Sequence, residues 1–135
     1  MATILIIEDN PANMRLAEII LTSAGYTVQQ ACDAATGLAQ VQAEAPDLIL
    51  MDVQMPGMDG LTATRLLKSD PATRTIPVIA VTALAMSGDT DKILAAGCDG
   101  YISKPIRYRE LLAQVHAVLT AHGHLQSNPN LDSGH

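Results

Sequence analysis

Three acids, a hydroxyl and an ammonium stand at the ends of short apolar runs in this sequence. Glu8 and Asp9 close Thr3-Ile4-Leu5-Ile6-Ile7, and Asp52 closes Leu48-Ile49-Leu50-Met51. Thr82 follows Val78-Ile79-Ala80-Val81, and Ser103 and Lys104 follow Tyr101-Ile102. A polar residue at the end of one such run is ordinary. Asp52 is less so, because everything just before it is apolar, and three acids brought together repel one another. Two unit charges about 4 Å apart interact by roughly 4 kcal/mol at an effective dielectric near 20. An acid trio must therefore raise its pKa values or take up a cation. Hard oxygen donors with no His or Cys beside them suit Mg²⁺, with Mn²⁺ as a substitute. A cation there would orient a phosphoryl oxygen, Lys104 would add a movable positive charge, and the Thr82 hydroxyl could donate to the same group. Asp carboxylates are accepted nucleophiles for forming acyl phosphates. The chemistry that uses all of these parts is phosphorylation of Asp52.

These residues share a site only if the apolar runs are neighbouring strands. Thr3 to Leu119 alternates short apolar runs with longer amphipathic stretches. Strands are predicted over 3–7, 27–31, 47–52, 78–81 and 101–103. Helices are predicted from Asn10-Pro11 to Ala24, from Asp33 to about Glu44, over 60–69, from Ser87 to Gly97, and over about 107–121. Asn10 and Pro11 read as cap and first helical residue, and Gly25 as a stop. Uninterrupted β-branched runs belong to strands covered on both faces. Five βα units with right-handed crossovers give an α/β fold, a doubly wound parallel sheet in a three-layer sandwich. In such sheets ligands bind beyond the carboxyl ends of the strands, where the acids, Thr82 and Lys104 fall.

Composition narrows the classes. The chain has 135 residues, a formal net charge of -6 and 48% hydrophobic residues, with no Phe, no Trp and three Tyr, so its core is aliphatic. That length suits one domain. Eight basic residues against fourteen acidic ones form no patch for nucleic acid or an anionic membrane. No apolar run approaches the ~20 residues that span a bilayer. Cys32 and Cys98 lie far apart without zinc spacing, and a disulfide between them is not favoured, so the expectation is a reduced cytoplasmic domain. Residues 1–121 form the domain, and 122–135, rich in polar residues and Gly, are expected to be a flexible tail with no output domain. His122, His124 and His135 make no metal site by spacing, and His116 reads as a solvated side chain.

Glu8-Asp9-Asn10, Asp52 at its strand end, Met55-Pro56-Gly57-Met58-Asp59-Gly60, Thr82-Ala83 and Lys104-Pro105 together resemble the receiver domains of bacterial two-component response regulators. The resemblance extends over Thr3 to about Leu119. It is strongest to single-domain cell-division receivers and the receivers of hybrid kinases. It implies the flavodoxin-like strand order 2-1-3-4-5. It implies Asp52 as phosphoacceptor, Mg²⁺ held by Asp9, Asp52 and the Gln54 backbone carbonyl, and Glu8 acting through water. Thr82 and Lys104 would grip the phosphoryl group, and Tyr101 would be the aromatic that turns inward with Thr82. A cis bond before Pro105 is also implied. Gln54 and Leu84, two residues beyond Asp52 and Thr82, would tune the phosphoryl lifetime, and an apolar Leu84 points to minutes or longer.

The partners implied are a histidine kinase or histidine phosphotransfer protein upstream and a protein downstream, with the receiver a monomer or weak dimer. It would catalyse only its own phosphorylation and dephosphorylation. Leu16 and Ile19, at the edge of the apolar stripe of the first helix, are either scattered surface residues or a face that docks the kinase helices. Val115 and Val118 read as core rather than as an output face. Two rivals stand beside this reading. One is a pseudo-receiver that binds partners without phosphorylation, although none of the site residues is missing. The other, an aspartyl-phosphate phosphohydrolase, wants a second Asp where Gln54 stands. A flavin carrier would need a hydroxyl-rich phosphate loop that is absent after the first strand.

Overall fold

The computed structural model describes residues 2–83 and 87–122. Leu84 and residues 123–135, to which a lifetime-tuning role and a flexible tail were assigned, lie outside the described residues. The elements in chain order are β1 (Thr3–Ile7), α1 (Pro11–Ser23), β2 (Thr27–Ala31), α2 (Ala34–Ala43), β3 (Leu48–Asp52), α3 (Gly60–Ser69), β4 (Val78–Thr82), α4 (Ser87–Ala95), β5 (Gly100–Ser103) and α5 (Tyr108–Ala121). The strands are parallel and ordered β2-β1-β3-β4-β5. The chain therefore leaves β1 toward one edge, then returns across it to build β3, β4 and β5 on the other side. The crevice beyond the ends of β1 and β3 is the switch point of this order.

Burial follows position in the sheet. Every residue of β3 and β4 is buried, as is all of β1 except Thr3, whereas edge strand β2 buries only Ala31. Burying an aliphatic side chain fully stabilises by about 1.5–3 kcal/mol, so the three central strands anchor the domain and polar Thr27, Gln29 and Gln30 are tolerated at the edge. Alternate residues of the strands face two separate aliphatic cores. Ile4, Ile6, Leu48, Leu50, Ile79 and Val81 pack against Met14, Ala17, Ile20 and Leu21 of α1 and Leu111, Val115, Val118 and Leu119 of α5. Leu5, Ile7, Ile49, Met51 and Ala80 pack against α2, α3 and Ile93 of α4. Val115 and Val118 are thus core residues. Cys32 is exposed, Cys98 is buried, and both are free thiols.

The helix starts are built as their sequences dictate. Asn10 Oδ1 accepts from the N–H groups of Ala12 and Asn13 at 2.9 and 3.1 Å, with Pro11 opening α1. Asp33 caps α2 through Thr36 N–H at 2.7 Å, and Asp59 caps α3 through Thr62 N–H at 2.8 Å. α4 stops at Ala95, short of Gly97, whose φ of 104° takes the left-handed turn that leads to β5. His122 caps α5: its backbone N–H bonds to Val118 and Leu119 carbonyls, and its Nε2 lies 3.7 Å from Asp99 Oδ1.

Gly60 sets how closely α3 follows β3. Its N–H donates to the Val53 carbonyl at 3.0 Å, and a Cβ at this position would overlap the Asp52 backbone carbonyl. That overlap is with main chain, which cannot rotate away. Gly60→Ala is therefore expected to lower stability by about 1–3 kcal/mol, measured as a reduced urea midpoint at unchanged denaturant slope.

Candidate functional site

The site forms where β1, β3, β4 and β5 end. Glu8 and Asp9 follow β1, Asp52 is the last residue of β3, Thr82 the last of β4, and Lys104 the residue after β5. Lys104 is positioned through its backbone, whose N–H donates to the Thr82 carbonyl at 2.7 Å, extending the register that pairs Thr82 with Ser103. The Lys104–Pro105 bond is cis. The Lys104 ammonium then lies 3.2 Å from Asp52 Oδ1 and 3.5 Å from Glu8 Oε1. Three of the predicted side chains are thereby joined by one cation.

Both acids in this contact are deeply placed. Asp52 is 1% exposed and Glu8 4%, while Asp9 is open to solvent. Burial is the main cause that pushes the Glu8 carboxyl up to about 7, with the nearby Asp52 carboxylate adding to it, while Asn10 N–H at 3.1 Å and Lys104 pull it down. Asp52 Oδ1 accepts from Lys104 and from Gln54 N–H at 3.1 Å. Its Oδ2 is buried and has no hydrogen-bond partner among the described residues. A buried carboxylate oxygen without a partner is costly unless a ligand completes it.

The donor set identifies that ligand's class. Oxygens of Glu8, Asp9 and Asp52 lie within 4.8 Å of one another, and among the described residues no nitrogen or sulfur donor joins them. Clustered hard carboxylate oxygens, one of them buried without a partner among the described residues and one on a carboxyl whose pKa burial raises, fit a divalent cation such as Mg²⁺. The cation predicted from residue types alone therefore has a site whose chemistry suits it.

Thr82 is 1% exposed. Tyr101 is half-buried against the core shared with α2, α3 and α4, and its register partner is Ala80, two residues before Thr82. Leu16 and Ile19 are 40% and 51% exposed on α1, so neither belongs to the core. One contact was not foreseen. The Gln54 side chain, considered only for its position beyond Asp52, accepts the Ala83 N–H at 3.1 Å through Oε1, tying the loop after β3 to the first residue after β4. A polar residue in an exposed loop carries no pattern that announces such a partner. The proximity of Gly60 to Asp52 was likewise hidden, although the glycine itself lay within the motif.

Residues 4–116 match the family described as the response regulator receiver domain. The chain is 46% identical over 117 residues to the response regulator PleD of Caulobacter vibrioides, covering 87% of this chain but only 26% of that protein. It spans about a quarter of that relative's length. It is 41% identical over 117 residues to the polar-differentiation response regulator DivK of Brucella anthropi, covering 87% of this chain and 95% of that protein. Among solved structures, the receiver domain of a sensor histidine kinase from Pseudomonas aeruginosa, with magnesium coordinated in its active-site cleft, is 35% identical with a TM-score of 0.82, covering 88% of this chain and 98% of that one.

The raised Glu8 carboxyl has a measurable consequence. The folded, cation-free protein holds this proton more tightly than the unfolded chain, whose carboxyl has a pKa near 4.5. The resulting stabilisation is complete below about pH 4.5 and is lost as pH rises through about 7. Thermal melts without divalent cation should show this decline, and Glu8→Gln should flatten it. Mg²⁺ should stabilise more at pH 8 than at pH 6, since it requires the ionised carboxylate.

Proposed function

Because the chain belongs to the response regulator receiver domain family, we propose that it takes a phosphoryl group from a phosphohistidine onto Asp52 and relays the signal through its altered surface. The observation that carries this reading is the Asp52 carboxylate itself. It is buried at the end of an apolar central strand, oriented by Lys104 and by Gln54 N–H, and left with one oxygen unpartnered.

The residues divide the work. A carboxylate oxygen of Asp52 attacks the phosphorus, the P–N bond breaks, and the imidazole of the donor leaves and is protonated. Gln54 N–H and Lys104 hold the carboxylate still, so the nucleophile meets the donor in a preset orientation. The Lys104 ammonium, already between two acids, follows the negative charge onto the phosphoryl oxygens, and the Thr82 hydroxyl donates to one of them. Asp9, Asp52 and the Gln54 backbone carbonyl would hold Mg²⁺, or Mn²⁺ in its place, with Glu8 acting through water. When bound, that ion offsets the clustered carboxylate charge and orients the phosphoryl oxygens. Thr82 drawn toward the phosphoryl group leaves room for the half-buried Tyr101 ring to turn inward, which changes the surface around β5. The chain turns over no external substrate in this scheme, and Gln54 stands where a hydrolase would need its second acid. The free thiols of Cys32 and Cys98 accord with a cytoplasmic setting.

Access supports a helical donor. An open groove of about 290 Å³ runs beside the acid cluster and is lined by Glu8, Asp9, Pro11, Met14, Arg15 and Glu18. Leu16 and Ile19 stand exposed on the same helix. They would give the helices of a histidine kinase or phosphotransfer protein an apolar foothold on α1, the helix that follows Glu8 and Asp9.

Incubation with acetyl phosphate and Mg²⁺, followed by intact-mass measurement, should show a single phosphoryl adduct that Asp52→Asn abolishes. No adduct on the wild-type chain would leave a phosphorylation-independent binding module as the better reading. Ile19→Asp should slow transfer from a phosphorylated kinase about tenfold or more while leaving acetyl phosphate labelling and the thermal midpoint unchanged. An unaltered transfer rate would remove α1 as the docking face.

A further inference from the structure

The β3–β4 ladder stops one rung early, and Gln54 takes the place of the missing rung. Ile49 N–H donates to the Pro77 carbonyl, and Val53 N–H to the Val81 carbonyl at 2.9 Å, in the register that pairs Asp52 with Val81. A parallel ladder continued in this register would next run from Ala83 N–H to the Val53 carbonyl. That carbonyl instead accepts the Gly60 N–H at 3.0 Å, where the chain turns into α3. The Ala83 N–H is met by Gln54 Oε1 at 3.1 Å, a side-chain acceptor reaching across 29 residues of sequence. The same Gln54 donates its own backbone N–H to Asp52 Oδ1. One residue therefore holds the carboxylate with its main chain and the first residue beyond β4 with its side chain.

We propose that Gln54 is a positioning residue: in the resting protein it caps the Ala83 N–H, and it surrenders that donor to the phosphoryl group formed on Asp52. This proposal rests on the phosphorylation reading above. Three features favour an exchange. The bond joins two neutral amides in an exposed setting, so it is weak and water can replace it. A phosphoryl oxygen is charged, and charge-assisted hydrogen bonds are roughly twice as strong as neutral ones. The donor also lies next to Thr82 on the sheet edge that carries Asp52, so its transfer would draw Ala83 toward the site together with the Thr82 hydroxyl. Gln54 would then set the threshold of the switch, holding Ala83 until an anion outbids a side-chain amide.

The test uses the full ¹⁵N-labelled chain and two variants. Gln54→Met keeps length and removes the acceptor, whereas Gln54→Glu keeps an acceptor at the same reach. Without phosphodonor, amide exchange at Ala83 should accelerate several-fold in Gln54→Met and stay close to wild type in Gln54→Glu. Unchanged exchange at Ala83 in Gln54→Met would overturn the cap. With Mg²⁺ and acetyl phosphate, the wild-type Ala83 amide proton should move downfield while the Gln54 side-chain NH₂ signals shift toward free values. Labelling of Gln54→Met should be about 2 to 10 times faster than wild type, the span set by one neutral hydrogen bond. A Gln54→Met rate at or below wild type, or Gln54 signals unmoved by labelling, would overturn the surrender. Failure of the wild type to label at all would overturn the phosphorylation reading and the surrender with it, while the exchange data would still decide the cap.

Discussion

Negative charge held at the end of an apolar sheet is the constraint to which the rest of this molecule answers. Glu8 and Asp52 are almost completely buried, and ionised carboxylates in such a place are costly unless countercharge and donors meet them. Lys104 supplies the countercharge to both, Gln54 and Asn10 supply backbone N–H groups, and the raised Glu8 carboxyl records what remains unmet. The site is thus incomplete by its own electrostatics. Under the proposed function that incompleteness is useful, since a divalent cation and then a phosphoryl group would find donors and charge already facing inward.

Holding the charges at these distances is the task of the fold. β1, β3 and β4 are the central strands, and their side chains enter two separate aliphatic cores, one under α1 and α5 and one under α2, α3 and α4. A core built without Phe or Trp gains its stability from many tightly packed aliphatic groups. Strand ends placed by two cores cannot slide independently, so Glu8, Asp52 and Thr82 keep their spacing. A second polar knot secures the opposite end of the sheet. Lys68 Nζ bonds to the Ile76 carbonyl at 2.8 Å and to Asp99 Oδ2 at 3.1 Å, while Asp99 also accepts from Val78 N–H at 2.8 Å. The stem of Lys68 lies against Gly97, where a Cβ would overlap its Cγ. α3, β4 and the approach to β5 are therefore tied together at the end of the sheet opposite the site.

Much of this was legible in the residues. Uninterrupted runs such as Thr3–Ile7 and Leu48–Asp52 identify covered parallel strands because both faces must be apolar. Asn10-Pro11, Asp33 and Asp59 mark helix starts because capping is a local interaction between residues two or three apart. Asp52 was conspicuous because a lone acid closing a fully apolar strand has no local reason to be there. Boundaries were read to within a residue or two: α5 ends at Ala121 as expected, while α4 ends at Ala95, two residues before Gly97. Ala63 of α3 is fully buried, though a small side chain gives little periodic signal.

The sequence by itself determined which groups could react and on which edge of the sheet they would gather, since strand polarity and hydrophobic runs are local properties of the chain. Only the tertiary structure decided how they meet. Asp52 Oδ2 is the oxygen left unpartnered because Oδ1 is taken by Lys104, 52 residues away, and by a turn whose tightness depends on Gly60. Gln54 reaches Ala83 because the Val53 carbonyl is diverted to α3. Such pairings join residues distant in the chain, and their partners are chosen by what packing leaves unsatisfied, a quantity that no stretch of sequence carries alone.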